Sequence, residues 1–124
     1  MVTYDEFSKL EIKIGKVLSV EKVEGTDRLL KFEFDFGSEK RTIIGGWAIS
    51  YPDPSVLVGT LMPVLMNLEP RVIRGIESQG MILSAVARKL KPQSGEILSA
   101  EYDEQPVALH PDPEKDVGLG AQIR

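Results

Sequence analysis

The sequence predicts an all-β fold, a small antiparallel barrel, and three observations carry that expectation. Leu30, Phe32, Phe34 and Phe36 alternate with Lys31, Glu33 and Asp35, the period-2 pattern of a strand with one buried face. The run from Glu11 to Glu24 places Ile12, Ile14, Leu18 and Val20 on one parity and Val17 and Val23 on the other. It reads as one long strand, with Gly15 offering a bulge at which it bends. Turn residues then cut the chain into strand-sized pieces: Gly25-Thr26-Asp27, Gly37-Ser38-Glu39-Lys40, Gly45-Gly46, Pro70, Gly75 and Gly80.

In chain order, Thr3-Tyr4-Asp5-Glu6 fits a capping box, with Val2 and Phe7 at the positions of a hydrophobic staple. A short helix over about residues 4–9 follows, expected to plug an open barrel end with Phe7 and Leu10. A first strand long enough to curl around both halves of a small barrel is characteristic of an OB-fold. Four phenylalanines or leucines on one parity belong to a core in preference to a base-stacking surface, which leaves Lys31 on the outer face. Arg41 to Ile44 continues the sheet, and Trp47 to Gly59 forms a covering segment that ends in one helical turn. The fourth and fifth strands come from Leu61 to Met66 and Met81 to Leu83. Arg88-Lys89-Leu90-Lys91-Pro92 reads as a basic turn that either extends a binding face or solubilises a hairpin. Ile97 to Ala100 and Val107 to Leu109 are short C-terminal strands outside a five-stranded barrel. Residues 1–124 form one domain by length alone.

Composition narrows the chemistry. The chain has no cysteine, which excludes disulfides, thiol catalysis and thiolate metal sites and suits a cytoplasmic protein. No apolar run approaches the roughly 20 residues of a membrane span, and no basic cap precedes an apolar segment at the N-terminus, so neither a membrane partner nor a signal peptide is expected. His110 is the single histidine, without the partners a triad or a metal site requires. Asp112, Glu114 and Asp116 recur every second residue but lack the glycine and distant glutamate of a calcium loop. Gly45-Gly46 is not followed by the Lys-Ser/Thr of a phosphate-cradling loop. A non-enzyme with no cofactor and no metal is expected.

One stretch carries most of the functional signal. Between two apolar strands, Asn67 to Gly80 holds Arg71, Arg74, Ser78 and Gln79, broken by Pro70 and Gly75 into a turn or folded excursion rather than a helix. Two guanidiniums and two neutral polar groups on one loop suit phosphates and exposed base edges; the alternative is that the arginines are solvated loop charges. Net charge is −4 with a pI near 5.0, which is unusual for a nucleic-acid binder. From Lys9 to Lys91, however, 13 basic residues stand against 10 acidic ones, and the acidic excess lies in residues 92–124, with 2 basic and 7 acidic.

The run from Asn67 to Ala85 resembles the signature of the tRNA-binding domain found at the C-terminus of many methionyl-tRNA synthetases and in free-standing tRNA-binding proteins. Phe7 to Val17, Asp27-Arg28-Leu29-Leu30, Arg41 to Gly46 and the closing Gly120 to Arg124 match it in order. The resemblance implies shape-dependent binding of folded tRNA on the outer barrel. Arg41, Arg71 and Arg74 would contact phosphates, Asn67, Ser78 and Gln79 would reach ribose or base edges, and Lys31 and Lys16 would add less specific attraction. For Asn67 and Ser78, bonding to nearby backbone is an equal alternative, and the two roles are compatible. It also implies a homodimer built with the C-terminal additions, and an aminoacyl-tRNA synthetase as a further partner. Many relatives carry lysines where this chain has Glu69 and Val72. A related branch, the CsaA-type export chaperones, binds unfolded polypeptide on the same barrel. Met62, Met66 and Met81 near the loop suit that alternative, because methionine repacks readily.

Overall fold

A computed structural model describes residues 1–90 and 102–124. The Thr3 hydroxyl accepts the Glu6 N–H at 3.2 Å and the Glu6 carboxylate faces the Thr3 N–H, so the expected capping box opens helix α1, Tyr4–Ser8. That helix buries none of its residues, and Phe7 and Leu10 remain 37% and 46% exposed. They do not plug the barrel. Its interior is filled by residues of the strands and of the covering segment instead, and apolar character permits burial without requiring it.

Strand β1, Ile12–Lys22, runs antiparallel to both β2, Leu30–Asp35, and, further on, to β4, Leu61–Leu65. β2 pairs in turn with β3, Lys40–Gly45. The irregularity in β1 falls between Val17 and Ser19, where Leu18 has no partner in β2, rather than at Gly15. This one extra residue turns both Val17 and Val20 toward the phenylalanine side of β2, opposite Phe34 and Phe32. Gly15 has a different task. A Cβ there would lie 2.5 Å from the Phe36 ring, so glycine lets that ring lie flat against the strand.

Leu30, Phe32, Phe34 and Phe36 are all buried, as their alternation predicts. Phe34 stacks between Phe32 and Phe36 with centroids 5.8 Å apart, and Trp47 meets Phe32 edge-on at 5.9 Å. Val17, Ile43, Leu57, Met62, Val64, Met66 and Ile82 complete the core. The covering segment runs from Trp47, with Tyr51 stacked on its indole, to a 3-10 helix at Pro54–Leu57.

The remaining elements are short. β5, Arg71–Ile73, and β6, Ile76–Ser78, form a hairpin inside the stretch expected to be a loop. β7, Met81–Ile82, pairs with β4. β8, Ser84–Leu90, pairs with β9, Tyr102–Ala108. The expected basic turn at Arg88 is therefore strand as far as Leu90, because its register partners in β9 continue to Tyr102; Lys91, Pro92 and the strand expected at Ile97 to Ala100 lie outside the described residues. β10, Gln122–Ile123, adds to the first half of β1, opposite the end used by β2.

The sheet order β3-β2-β1-β4-β7 is a curled antiparallel OB-fold barrel. Its seam lies between β3 and residues 78–79. There the Gln79 N–H donates to Thr42 O at 2.9 Å, the Thr42 N–H donates to Gln79 Oε1 at 3.2 Å, and the Ile44 N–H donates to Ser78 Oγ at 2.9 Å. Side-chain oxygens thus stand in for ladder carbonyls along the closing edge.

Candidate nucleic-acid interface

The hairpin β5–β6 projects from the barrel on residues 67–80. Its tip is the two-residue turn Arg74-Gly75, with φ of 53° and 78°. Positive φ at both central positions is the signature of a type I′ turn, the geometry that matches the twist of tightly joined strands. Arg74 is the one non-glycine residue with positive φ among the described residues. An arginine there holds left-handed backbone at a cost, where asparagine or glycine would not.

Arg71 and Arg74 are both exposed. Among the described residues neither makes an ion pair or a hydrogen bond. The guanidinium of Arg74 reaches back to the β1–β2 connection, where a Cβ on Gly25 would stand 3.6 Å from its Nη1. The hairpin and that connection therefore meet. In OB-folds these are the two loops that flank the ligand-binding face of the second and third strands. Exposed Arg28 lies on the same connection.

Four other residues expected at the interface are turned to the protein's own backbone. Asn67 closes the entry to the loop: its Oδ1 accepts the Glu11 N–H at 2.9 Å and its Nδ2 donates to Lys9 O at 2.6 Å. Ser78, 5% exposed, and Gln79 close the exit on β3 through the seam described above. Arg41, directly opposite Phe34 in the sheet, sends Nη1 to Met66 O at 2.6 Å and to Gln79 O at 3.3 Å, while Nε meets Glu39 Oε1 at 2.5 Å. Backbone bonding is thus realised at Asn67 and Ser78, but to segments 34 to 58 residues away in sequence and not to the nearby groups expected. Lys31 stands on the outer face as expected, but opposite Glu21 and two residues from Glu33, whose carboxylate accepts the Thr42 hydroxyl at 2.6 Å. Lys16 faces Asp35 across β1–β2. The outer sheet is mixed in sign: Lys31 and Lys16 each face a carboxylate across β1–β2, whereas Arg71 on the hairpin faces Ser78, and Lys13 on β1 faces Gln122 and Val64.

Sequence reasoning read Gly25 as a turn residue and Arg28 as part of the resembling signature, but placed neither at the interface. Their link to the hairpin depends on where the Arg74 side chain lands, a contact between distant segments. Met62 and Met66, weighed as a soft peptide-binding surface, are buried in the core, whereas Met81 is 45% exposed. His110 is exposed, with Nδ1 2.9 Å from Leu61 O, the distance of an N–H donating to that carbonyl.

Against this geometry stand the similarities to known proteins. The tRNA binding domain family model matches residues 12–109. The chain is 46% identical over 93 residues to the methionine–tRNA ligase of Enterococcus faecalis, and 49% identical over 84 residues to that of Thermotoga maritima. Those alignments cover 74% and 68% of this chain but 14% and 13% of the ligases, so the chain spans a small part of their length. A MetRS-related protein from Pyrococcus horikoshii superposes with a TM-score of 0.74 at 35% identity, covering 100% of this chain and 98% of that one. The chaperone CsaA from Bacillus anthracis superposes equally well, TM-score 0.74 over 100% and 99% of the two chains, at 22% identity. That second likeness is one of fold.

Proposed function

Because the chain belongs to the tRNA binding domain family, we propose that it is a non-catalytic module that binds folded tRNA by shape and backbone charge. The observation that carries this reading is the pair of exposed arginines on a hairpin whose tip side chain, Arg74, lies beside the β1–β2 connection at Gly25. A guanidinium with no partner among the described residues can give its paired N–H donors to a phosphate. Arg71 and Arg74 take phosphates, and Lys31 adds attraction damped by Glu21 and Glu33. Asn67, Ser78 and Gln79 hold the loop that presents the arginines, and the Gln79 amide nitrogen can also reach RNA from the loop's exit. Contacts to 2′-hydroxyls in the wide minor groove of folded RNA would separate RNA from DNA.

The binder acts in the cytoplasm, as a homodimer and beside a methionyl-tRNA synthetase. Support for self-association is the exposure of the apolar side chains of Tyr4, Phe7, Leu10 and Ile123 along one groove of mixed polarity; support for the synthetase is the identity to methionine–tRNA ligases. No helix among the described residues is long and apolar enough to cross a membrane.

A gel-shift titration with bulk tRNA, repeated at two salt concentrations and with an unfolded polypeptide as competitor, tests the reading. Binding should weaken with salt, with a log–log slope of roughly −0.7 to −0.9 for each phosphate contacted, and should resist the polypeptide. Displacement by polypeptide, or binding indifferent to salt, would transfer the site to a peptide ligand.

A further inference from the structure

The two ends of the hairpin excursion are joined by one guanidinium. Met66 is the last residue before it and Gln79 the first after β6, and Nη1 of Arg41 bonds the carbonyl of each, at 2.6 and 3.3 Å. Glu39 fixes the other side of the same group through Nε. Arg41 is only 26% exposed at its side chain, so these bonds sit at the edge of the barrel interior, where charge-assisted hydrogen bonds are worth more than in open water. Nε and Nη1 are committed in this way, which takes one member of each paired N–H edge and leaves Nη2 alone, so Arg41 is poorly placed to offer the paired N–H groups that a phosphate takes.

We propose that Arg41 is a positioning residue for RNA: it cinches the base of the β5–β6 hairpin so that Arg71 and Arg74 are presented in a fixed geometry, and it does not itself touch the ligand. This rests on the RNA-binding reading of the hairpin and adds a separate role to it. A loop held before binding forfeits less conformational entropy on contact, and that saving appears as affinity. Lysine cannot replace arginine here, because a single ammonium lacks the planar fork that serves Glu39 and two carbonyls at once.

Arg41→Lys is the decisive variant, since it keeps the charge and removes the fork. Two measurements on the whole chain read it. Amide hydrogen exchange without RNA should show residues 67–80 exchanging on the order of tenfold faster, about the worth of one charge-assisted hydrogen bond, while core strands β1 and β2 keep their protection. Titration with bulk tRNA across a salt series should show affinity reduced by about the same factor with the log–log slope unchanged, whereas a lost phosphate contact lowers the slope by roughly 0.7 to 0.9. Arg41→Met should lose the same protection and also keep the wild-type slope. Wild-type exchange in Arg41→Lys, or a slope that drops in Arg41→Met, overturns the assignment. If the wild-type chain fails to bind tRNA, the functional reading falls while the exchange arm still decides whether Arg41 braces the loop.

Discussion

Ser78 Oγ accepts the backbone N–H of Ile44 at 2.9 Å across the seam of the barrel. Ser78 is the one polar residue buried among the described residues, and its hydroxyl does the work of a ladder carbonyl on the free edge of β3. Ser78→Ala removes the acceptor and leaves the donor buried. A stranded donor costs about 1–3 kcal/mol, and that loss should appear as a lower midpoint in urea denaturation. An unchanged midpoint would mean that water reaches Ile44 and that the seam does not depend on the hydroxyl.

Gly15 and Phe36 make a second dependence. Phe36 is 2% exposed and stacked on Phe34 at 5.8 Å, so its ring has no free space into which to retreat from a Cβ placed 2.5 Å away. Gly15→Ala should destabilise by about 1–3 kcal/mol through overpacking. Gly46→Ala serves as the control, because no atom lies within 4 Å of a Cβ there. Matching losses in the two variants would point to a backbone effect of glycine itself and remove the steric account.

These cases show which features could be read from the chain. The phenylalanine alternation, the length of β1 and the Thr3–Glu6 capping box depend on residues a few positions apart, and local periodicity encodes them directly. The bulge was expected at Gly15 because glycine permits one, yet the register breaks at Leu18; Gly15 answers to a ring brought from the end of β2. The polar residues of the hairpin were equally opaque. Asn67 meets backbone 56 and 58 residues upstream, and Arg41 meets carbonyls 25 and 38 residues downstream. Residue type gave donors and acceptors, but only the closed barrel determines whether a donor meets solvent or a distant strand.

Asp53 supplies a pH-dependent element. Its carboxylate accepts the hydroxyl and the N–H of Ser55, at 2.6 and 3.2 Å, and caps the 3-10 helix. Those two bonds, the hydroxyl first, hold its pKa below the ordinary aspartate value. A lowered folded pKa means that the cap's contribution is fully present above the ordinary aspartate pKa. It drains away as pH falls through the lowered folded value. A carbon-detected NMR titration should find Asp53 titrating lower than it does in a Ser55→Ala chain. Coincident curves would show that the hydroxyl does not stabilise the charge.

Arg74 sits where conformation and function pull against each other. Its φ of 53° is unfavourable for a residue with a Cβ, at roughly 1–2 kcal/mol, and the turn it shares with Gly75 is of the class that prefers Asn-Gly. Arg74→Asn should therefore raise stability, by up to about 1 kcal/mol, while removing an exposed cation without a partner among the described residues. Arg74→Glu keeps the backbone penalty and reverses the charge, so its thermal midpoint should stay at the wild-type value. Both variants should bind tRNA more weakly, Arg74→Glu more so, and both should flatten the salt dependence by roughly 0.7 to 0.9 if one phosphate is lost. Stability and affinity moving in opposite directions in Arg74→Asn is the signature of a residue retained for its ligand. Affinity unchanged in both variants would remove the hairpin tip from the interface.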